Sequence, residues 1–189
     1  MEVKKSTLLD ALLIQPKKFG DHRGFFVETY QEQRYLEAGL TQRFVQDNLS
    51  SSTYGVLRGL HYQHTYPQGK LVSVVKGEVF DVAVDIRKGS PTFGKWEGAI
   101  LTENNMNQFW IPPGFAHGFV VLSEMAIFAY KCTDIYHPET EIAIRWDDPE
   151  IGIKWPISPF ELKISPKDEM GVKLKDVSEK FLTPFHLEM

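Results

Sequence analysis

Glu78-Val79-Phe80-Asp81-Val82-Ala83-Val84-Asp85-Ile86-Arg87 decides the fold of this chain. Phe80, Val82, Val84 and Ile86 fall on one face of an extended segment while Asp81 and Asp85 fall on the other. That alternation is the signature of a strand. In front of it, Lys76-Gly77-Glu78 reads as a hairpin turn. Working outward, further strands are expected over 95–101, 107–111, 117–122, 126–133 and 142–145. Turn signals separate them at Lys88-Gly89-Ser90-Pro91, Glu103-Asn104-Asn105 and Pro112-Pro113-Gly114. Upstream, 8–14 reads as a short apolar strand ending before Pro16, and Phe19 to Phe26 as an aromatic-flanked loop. Gln31 to Ala38 is the one helix expected in the first half, stopped by Gly39. The abundance of Phe, Tyr and Trp also favours strands. Short strands about ten residues apart predict a mainly β, antiparallel sandwich or barrel.

At 189 residues the chain suits a single domain with a sizeable core. The stretch from about 155 to 189, rich in proline and lysine, is expected to wrap the barrel with short helical turns. A net charge of −4 argues against general nucleic-acid binding, which needs clustered cations in excess. Cys132 is the only cysteine, so an intrachain disulfide is excluded. Its strand setting predicts a buried, inert thiol. Leu8 to Ile14 is too short to span a membrane, and no small-residue cleavage pattern follows it. The expectation is a cytoplasmic protein without a membrane segment.

Arg58-Gly59-Leu60-His61-Tyr62-Gln63 carries the chemistry. A guanidinium suits a phosphate and an imidazole moves protons near neutral pH. Strict alternation places Arg58 and Leu60 on one face and His61 on the other, unless Gly59 introduces a bulge. Lys70 starts another strand. Pro112-Pro113-Gly114 delivers His117 onto a third. On a fourth, Tyr130 shares a face with Phe128 and Cys132, opposite Lys131. A phenol among apolar groups donates a proton but resists ionisation.

A small β-barrel with histidines in this order resembles a cupin, a jelly roll with a few short helices. The metal-binding cupins use three His and a Glu. Here Tyr62 and Gln63 stand where a further ligand is needed, so no metal site and no cofactor is expected. Over nearly its full length the chain is similar to the dTDP-4-dehydrorhamnose 3,5-epimerases. The similarity runs through Asp21–Glu28, Gln46-Asp47-Asn48, Val56–Gln63, Lys70-Leu71-Val72, Val75–Arg87, Ile111–Phe119, Tyr130–Thr133 and Ser165–Asp168.

That resemblance implies an isomerase that epimerises dTDP-4-dehydro-6-deoxy-D-glucose at C3 and C5 without a cofactor, in dTDP-L-rhamnose biosynthesis. It implies His61 as the base, Asp168 as its carboxylate partner, Lys70 near the C4 oxygen and Tyr130 as the proton donor. It further implies substrate contacts by Arg23, Glu28, Gln46, Asn48, Arg58, His117, Tyr136, Glu141 and Lys167. The family's N-terminal strand exchange implies a homodimer, with the Arg23 loop serving the partner's site. Alternatives are a single-site epimerase at C3 or C5, a keto-isomerase on a related sugar, or a non-catalytic binder. After Asp168 the chain runs Glu169-Met170-Gly171-Val172, where the family has an alanine–proline pair. The resemblance therefore leaves the tail's path beyond Asp168 open.

Overall fold

From Gln46 onward the chain passes back and forth between two sheets. A computed structural model describes residues 1–185. The first elements are β1 (Glu2–Lys5), β2 (Leu12–Gln15), β3 (Lys18–Asp21), β4 (Gly24–Val27) and helix α1 (Glu32–Glu37). The centre is built from β5 (Gln46–Thr53), β6 (Val56–Gln63), β7 (Lys70–Lys76), β8 (Glu78–Asp85) and β9 (Trp96–Thr102). It continues with β10 (Gln108–Ile111), β11 (Phe115–Val121), β12 (Met125–Cys132) and β13 (Glu141–Ala143). The tail adds β14 (Lys163–Ile164), α2 (Pro166–Glu169) and single 3-10 turns.

One sheet has the order β1-β2-β10-β7-β12-β5, the other β13-β6-β11-β8-β9. Every central pairing is antiparallel, and β14 adds to β6 in parallel. Of the described strands from β5 to β13, only β8 and β9 are consecutive in the chain and hydrogen-bonded to each other. This is a jelly-roll-like sandwich, and its sheets are not closed into a barrel. The reason lies in the corners. Lys76-Gly77-Glu78 is not a hairpin: it carries the chain from one sheet to the other, so β7 and β8 share no ladder. Gly77 has φ +80°, and a Cβ there would lie 2.1 Å from the Met125 carbonyl oxygen.

Two further expectations shift. Within 8–14 only the end is strand, because Leu8 and Ala11 bury themselves around a turn before β2. Phe19 to Phe26 is a hairpin, β3 against β4, rather than a loop. Helix α1 falls where expected, with the Gln31 side chain accepting from the Arg34 N–H at 2.7 Å and Gly39 at φ +100°. Its Tyr35 packs with Ile14, Leu40, Leu71 and Trp110 against the first sheet. Strand β5 carries no alternating apolar signal, because Gln46–Thr53 is mostly polar.

The core lies in two layers. Val72, Val74, Phe109 and Phe128 of the first sheet meet Val79, Ala83, Phe115 and Phe119 of the second. On the second sheet's other face, Leu60, Val82, Val84 and Ile86 pack under Ile151, Leu174 and Val177 of the tail. The apolar face of β8 therefore looks outward to the tail, and Asp81 and Asp85 look in between the sheets. Both are wholly buried. Asp85 accepts from Arg87, Ser90 and Thr92. Burial opposes its charge, yet these bonds hold its carboxyl below the usual range.

The Arg58/His61 question is settled by a bulge. Ladder partners run His117↔His61 and then Phe119↔Arg58, so Gly59 and Leu60 stand opposite Gly118 alone. The extra residue turns Arg58 and His61 to the same side and sends Leu60 into the tail-side core. Only glycines permit it: a Cβ on Gly118 would lie 2.7 Å from the Arg58 carbonyl oxygen, and one on Gly59 2.6 Å from the Gly118 Cα. Gly118→Ala is expected to destabilise the fold by about 2 kcal/mol through overpacking. Urea unfolding should show a lowered midpoint at unchanged slope.

Candidate active site

Where β5, β6, β7, β12 and the tail meet, a cavity of about 540 Å³ opens between the sheets. Phe119 and Phe128 line it, their rings stacked 4.2 Å apart. His61 and Tyr130 enter it from strands of the two facing sheets. Lys70, at the start of β7, and His117 complete this group.

The tail brings the carboxylate. Ser165 caps α2, accepting from the Asp168 N–H at 3.2 Å, with Pro166 at the first helical position. That short turn aims Asp168 at β6. Its Oδ1 lies 2.6 Å from His61 Nε2, and its Oδ2 accepts from the Gly59 N–H at 3.4 Å. Burial opposes the Asp168 charge, but His61, Ser165 and Gly59 outweigh it and hold the carboxyl below its usual 3.8. The other His61 nitrogen, Nδ1, is 4.0 Å from Glu141.

Burial also sets the remaining groups. It pushes the Tyr130 phenol up, with Arg58 pulling the other way. It pushes the Lys70 ammonium down against the opposing pull of Cys132 and Asp81. His117 is pushed down by burial despite Asp81, whose Oδ2 is 2.8 Å from its Nε2. Cys132 is buried as expected and pushed up.

At the mouth, Gln46 Nε2 donates to Asn48 at 3.0 Å, and Gln46 Oε1 accepts from the Tyr136 N–H at 2.9 Å. Glu141 accepts from the Tyr136 hydroxyl and pairs with Lys167. Arg58 is steadied by Ser52 at 3.1 Å. All the expected site residues line this cavity except Arg23 and Glu28. Those two lie elsewhere, Arg23 on the β3–β4 hairpin paired with Asp21, and Glu28 paired with Arg34. Neither lines the cavity of its own chain.

Sequence reasoning missed Gln68, Lys163 and Ser165 in the lining and Asp81 behind it. Ser165-Pro166 was legible as a helix start. Asp81 was legible only as the polar side of a strand. Among the described residues, no three His, Cys, Asp or Glu side chains converge as a metal site requires. No described helix is long and apolar enough to cross a membrane.

The model of the dTDP-4-dehydrorhamnose 3,5-epimerase family matches residues 5–176. The chain belongs to that family. It is 53% identical over 173 residues to the dTDP-4-dehydrorhamnose 3,5-epimerase of Methanothermobacter thermautotrophicus, covering 91% of this chain and 94% of that one. A dTDP-6-deoxy-D-glucose-3,5-epimerase from Legionella pneumophila, solved in complex with dTDP-4-keto-L-rhamnose, superimposes with a TM-score of 0.95. It is 55% identical, with 98% of each chain covered. More distantly, a dTDP-4-dehydrorhamnose 3-epimerase of Streptomyces niveus is 39% identical over 174 residues, covering 90% of this chain and 83% of that one.

Because the Asp168 carboxyl is depressed, its contribution to stability is present above its unfolded value and lost as pH falls through the folded one. Asp168→Asn should therefore be less stable than the parent at about pH 6, by a margin that shrinks at a pH below 3.8. Urea denaturation at both pH values checks this.

Proposed function

We propose that this protein is a cofactor-independent isomerase, converting dTDP-4-dehydro-6-deoxy-D-glucose to dTDP-4-dehydro-L-rhamnose for dTDP-L-rhamnose biosynthesis. The observation that carries the reading is an acid and a base on opposite walls of one cavity. His61, oriented by Asp168 at 2.6 Å, faces across to Tyr130 on the other sheet.

The C4 ketone acidifies the hydrogens on C3 and C5. His61 takes one of them, and the C–H electron pair moves into the ring so that the C4 oxygen becomes an enolate. Asp168 stabilises the resulting imidazolium. Lys70 supplies positive charge at the enolate oxygen in a site sheltered from water. Tyr130 delivers a proton to the opposite face of the carbon and inverts it. Burial, which raises the phenol, drives its reprotonation before the second carbon reacts. Arg58 and Lys167 hold the diphosphate, and His117 contacts the sugar. Tyr136 stacks on thymine, with Gln46, Asn48 and Glu141 as polar contacts.

The first test is solvent exchange. With the 4-keto sugar nucleotide in deuterated water, proton NMR should show deuterium entering at both C3 and C5. Exchange at a single carbon would move the assignment to a one-site epimerase, an activity that occurs among the family's relatives. No exchange would sink the reading. His61→Ala should lower turnover on the order of a thousandfold while dTDP affinity changes little.

A homodimer in the cytoplasm completes the proposal. Phe25 and Phe26 on the β3–β4 hairpin are 55% and 67% exposed, and Leu49 and Val75 on the first sheet's outer face 68% and 55%. These surfaces suit one another across a two-fold axis. The hairpin of one copy would then bring Arg23 to the cavity of the other. Light scattering should give twice the chain mass. Mixing inactive Arg23→Ala and His61→Ala proteins, after subunit exchange, should restore activity from hybrid dimers carrying one intact site.

A further inference from the structure

The histidine motif on β6 ends at Gln63, which no step above uses. Its side chain is buried, at 3% exposure, and does not line the cavity. Its amide nevertheless reaches the loop between β12 and β13 that carries Tyr136. Gln63 Oε1 accepts from the His137 N–H at 2.8 Å, and Nε2 donates to the Ile135 carbonyl at 3.4 Å. Those two groups belong to the peptide units on either side of Tyr136. Nε2 also donates to the Tyr66 carbonyl at 2.8 Å, which ties in the loop between β6 and β7. The His137 ring stacks on that of Tyr66, with 4.6 Å between centroids.

The residue type follows from this pattern. A side-chain amide offers an acceptor and two donors from one group. A glutamate would set its charge against two carbonyl oxygens, and a leucine would leave three backbone groups without this partner. Turning the amide over would face oxygen with oxygen, so its orientation is fixed as well. The loop has further ties. Gln46 Oε1 accepts from the Tyr136 N–H at 2.9 Å, and Gln68 Nε2 donates to the Asp134 carbonyl at 2.8 Å. Asp134 Oδ1 accepts from the Ile135 N–H, and the Tyr136 hydroxyl donates to Glu141 at 3.2 Å. Gln46, Gln68 and Glu141 line the cavity, where a ligand can compete for them, whereas Gln63 is set back from it. Ile135 and Tyr136 are both exposed, so packing alone does little to place them.

We propose that Gln63 is a positioning residue whose buried amide holds Tyr136 in place to stack on the base of the bound nucleotide. It acts through the Ile135 and His137 peptide groups and does not touch the substrate. Without that amide the loop would hold Tyr136 at the mouth for only part of the time, and the apparent affinity would fall by that fraction. The loss belongs to the base and spares the diphosphate. Tyr136 as the thymine platform rests on the epimerase reading; the hold of Gln63 on the loop does not.

Gln63→Leu removes the amide and keeps an apolar side chain of similar size. Calorimetry should show dTDP affinity falling about tenfold, as for a loop competent about a tenth of the time. KM for the 4-keto sugar nucleotide should rise by about the same factor while kcat stays within about threefold. Affinity for inorganic pyrophosphate, which has no base to stack, should stay within about twofold. In a Tyr136→Ala background the same change should add less than about twofold, because the group it serves is already gone. An unchanged dTDP affinity, an equal loss in both backgrounds, or a matching loss of pyrophosphate binding would overturn the proposal. Amide hydrogen exchange supplies a test without substrate. The His137 N–H should be protected in the parent and exchange at least about tenfold faster in Gln63→Leu, with the β8 amides unchanged. An unprotected His137 amide in the parent would sink it. Should the parent bind no dTDP, the nucleotide reading fails while hydrogen exchange still decides what Gln63 holds.

Discussion

The second sheet is enclosed on both sides, by the first sheet on one face and by the tail on the other. Most side chains on β6, β8 and β11 are therefore buried, and polar groups survive there only with partners. Asp85 finds them in the β8–β9 turn and Asp81 in His117. The tail is part of this arrangement. By packing Leu174 and Val177 over Val82 and Val84 it closes the sheet, and the same segment carries Asp168 to His61. One segment both covers the sheet and supplies the partner of His61.

Within that sheet the bulge at Gly59 adapts a ladder to a site. A regular strand cannot present residues three apart on one face. Two glycines approaching backbone to backbone remove the obstacle, and the inserted residue, Leu60, is absorbed by the tail-side core. Arg58 and His61 thus enter the same cavity from one short segment. Tyr130 and Lys70 enter it from the opposite sheet, on adjacent strands β12 and β7. Standing on separate sheets, His61 and Tyr130 line opposite walls of that cavity.

Burial serves as the electrostatic control. It raises Tyr130 and Cys132 and lowers Lys70 and His117, because each then stands closer to its neutral form. A phenol held as an acid is what donation requires. The Lys70 ammonium is pushed toward neutrality by burial, against the opposing pull of Cys132 and Asp81. Asp168 runs the other way, kept charged by three donors despite its burial.

The sequence by itself determined most of the central strands, the helix with its stop at Gly39, and the order of the chemical motifs. These depend on local rules: two-residue alternation, capping and turn residues. Through resemblance it also named eleven residues that meet in the cavity, though not Gln68, Lys163 or Ser165. What it could not decide was which face of β8 looks inward, since both faces end up buried and alternation distinguishes only the faces from each other. Nor could it decide the corner at Gly77, whose turn residues suit a hairpin equally well. The placing of Arg58 beside His61 depended on Gly118, distant in sequence and adjacent only once β11 pairs with β6. Those outcomes belong to tertiary structure because each is set by contacts between segments that no local window contains.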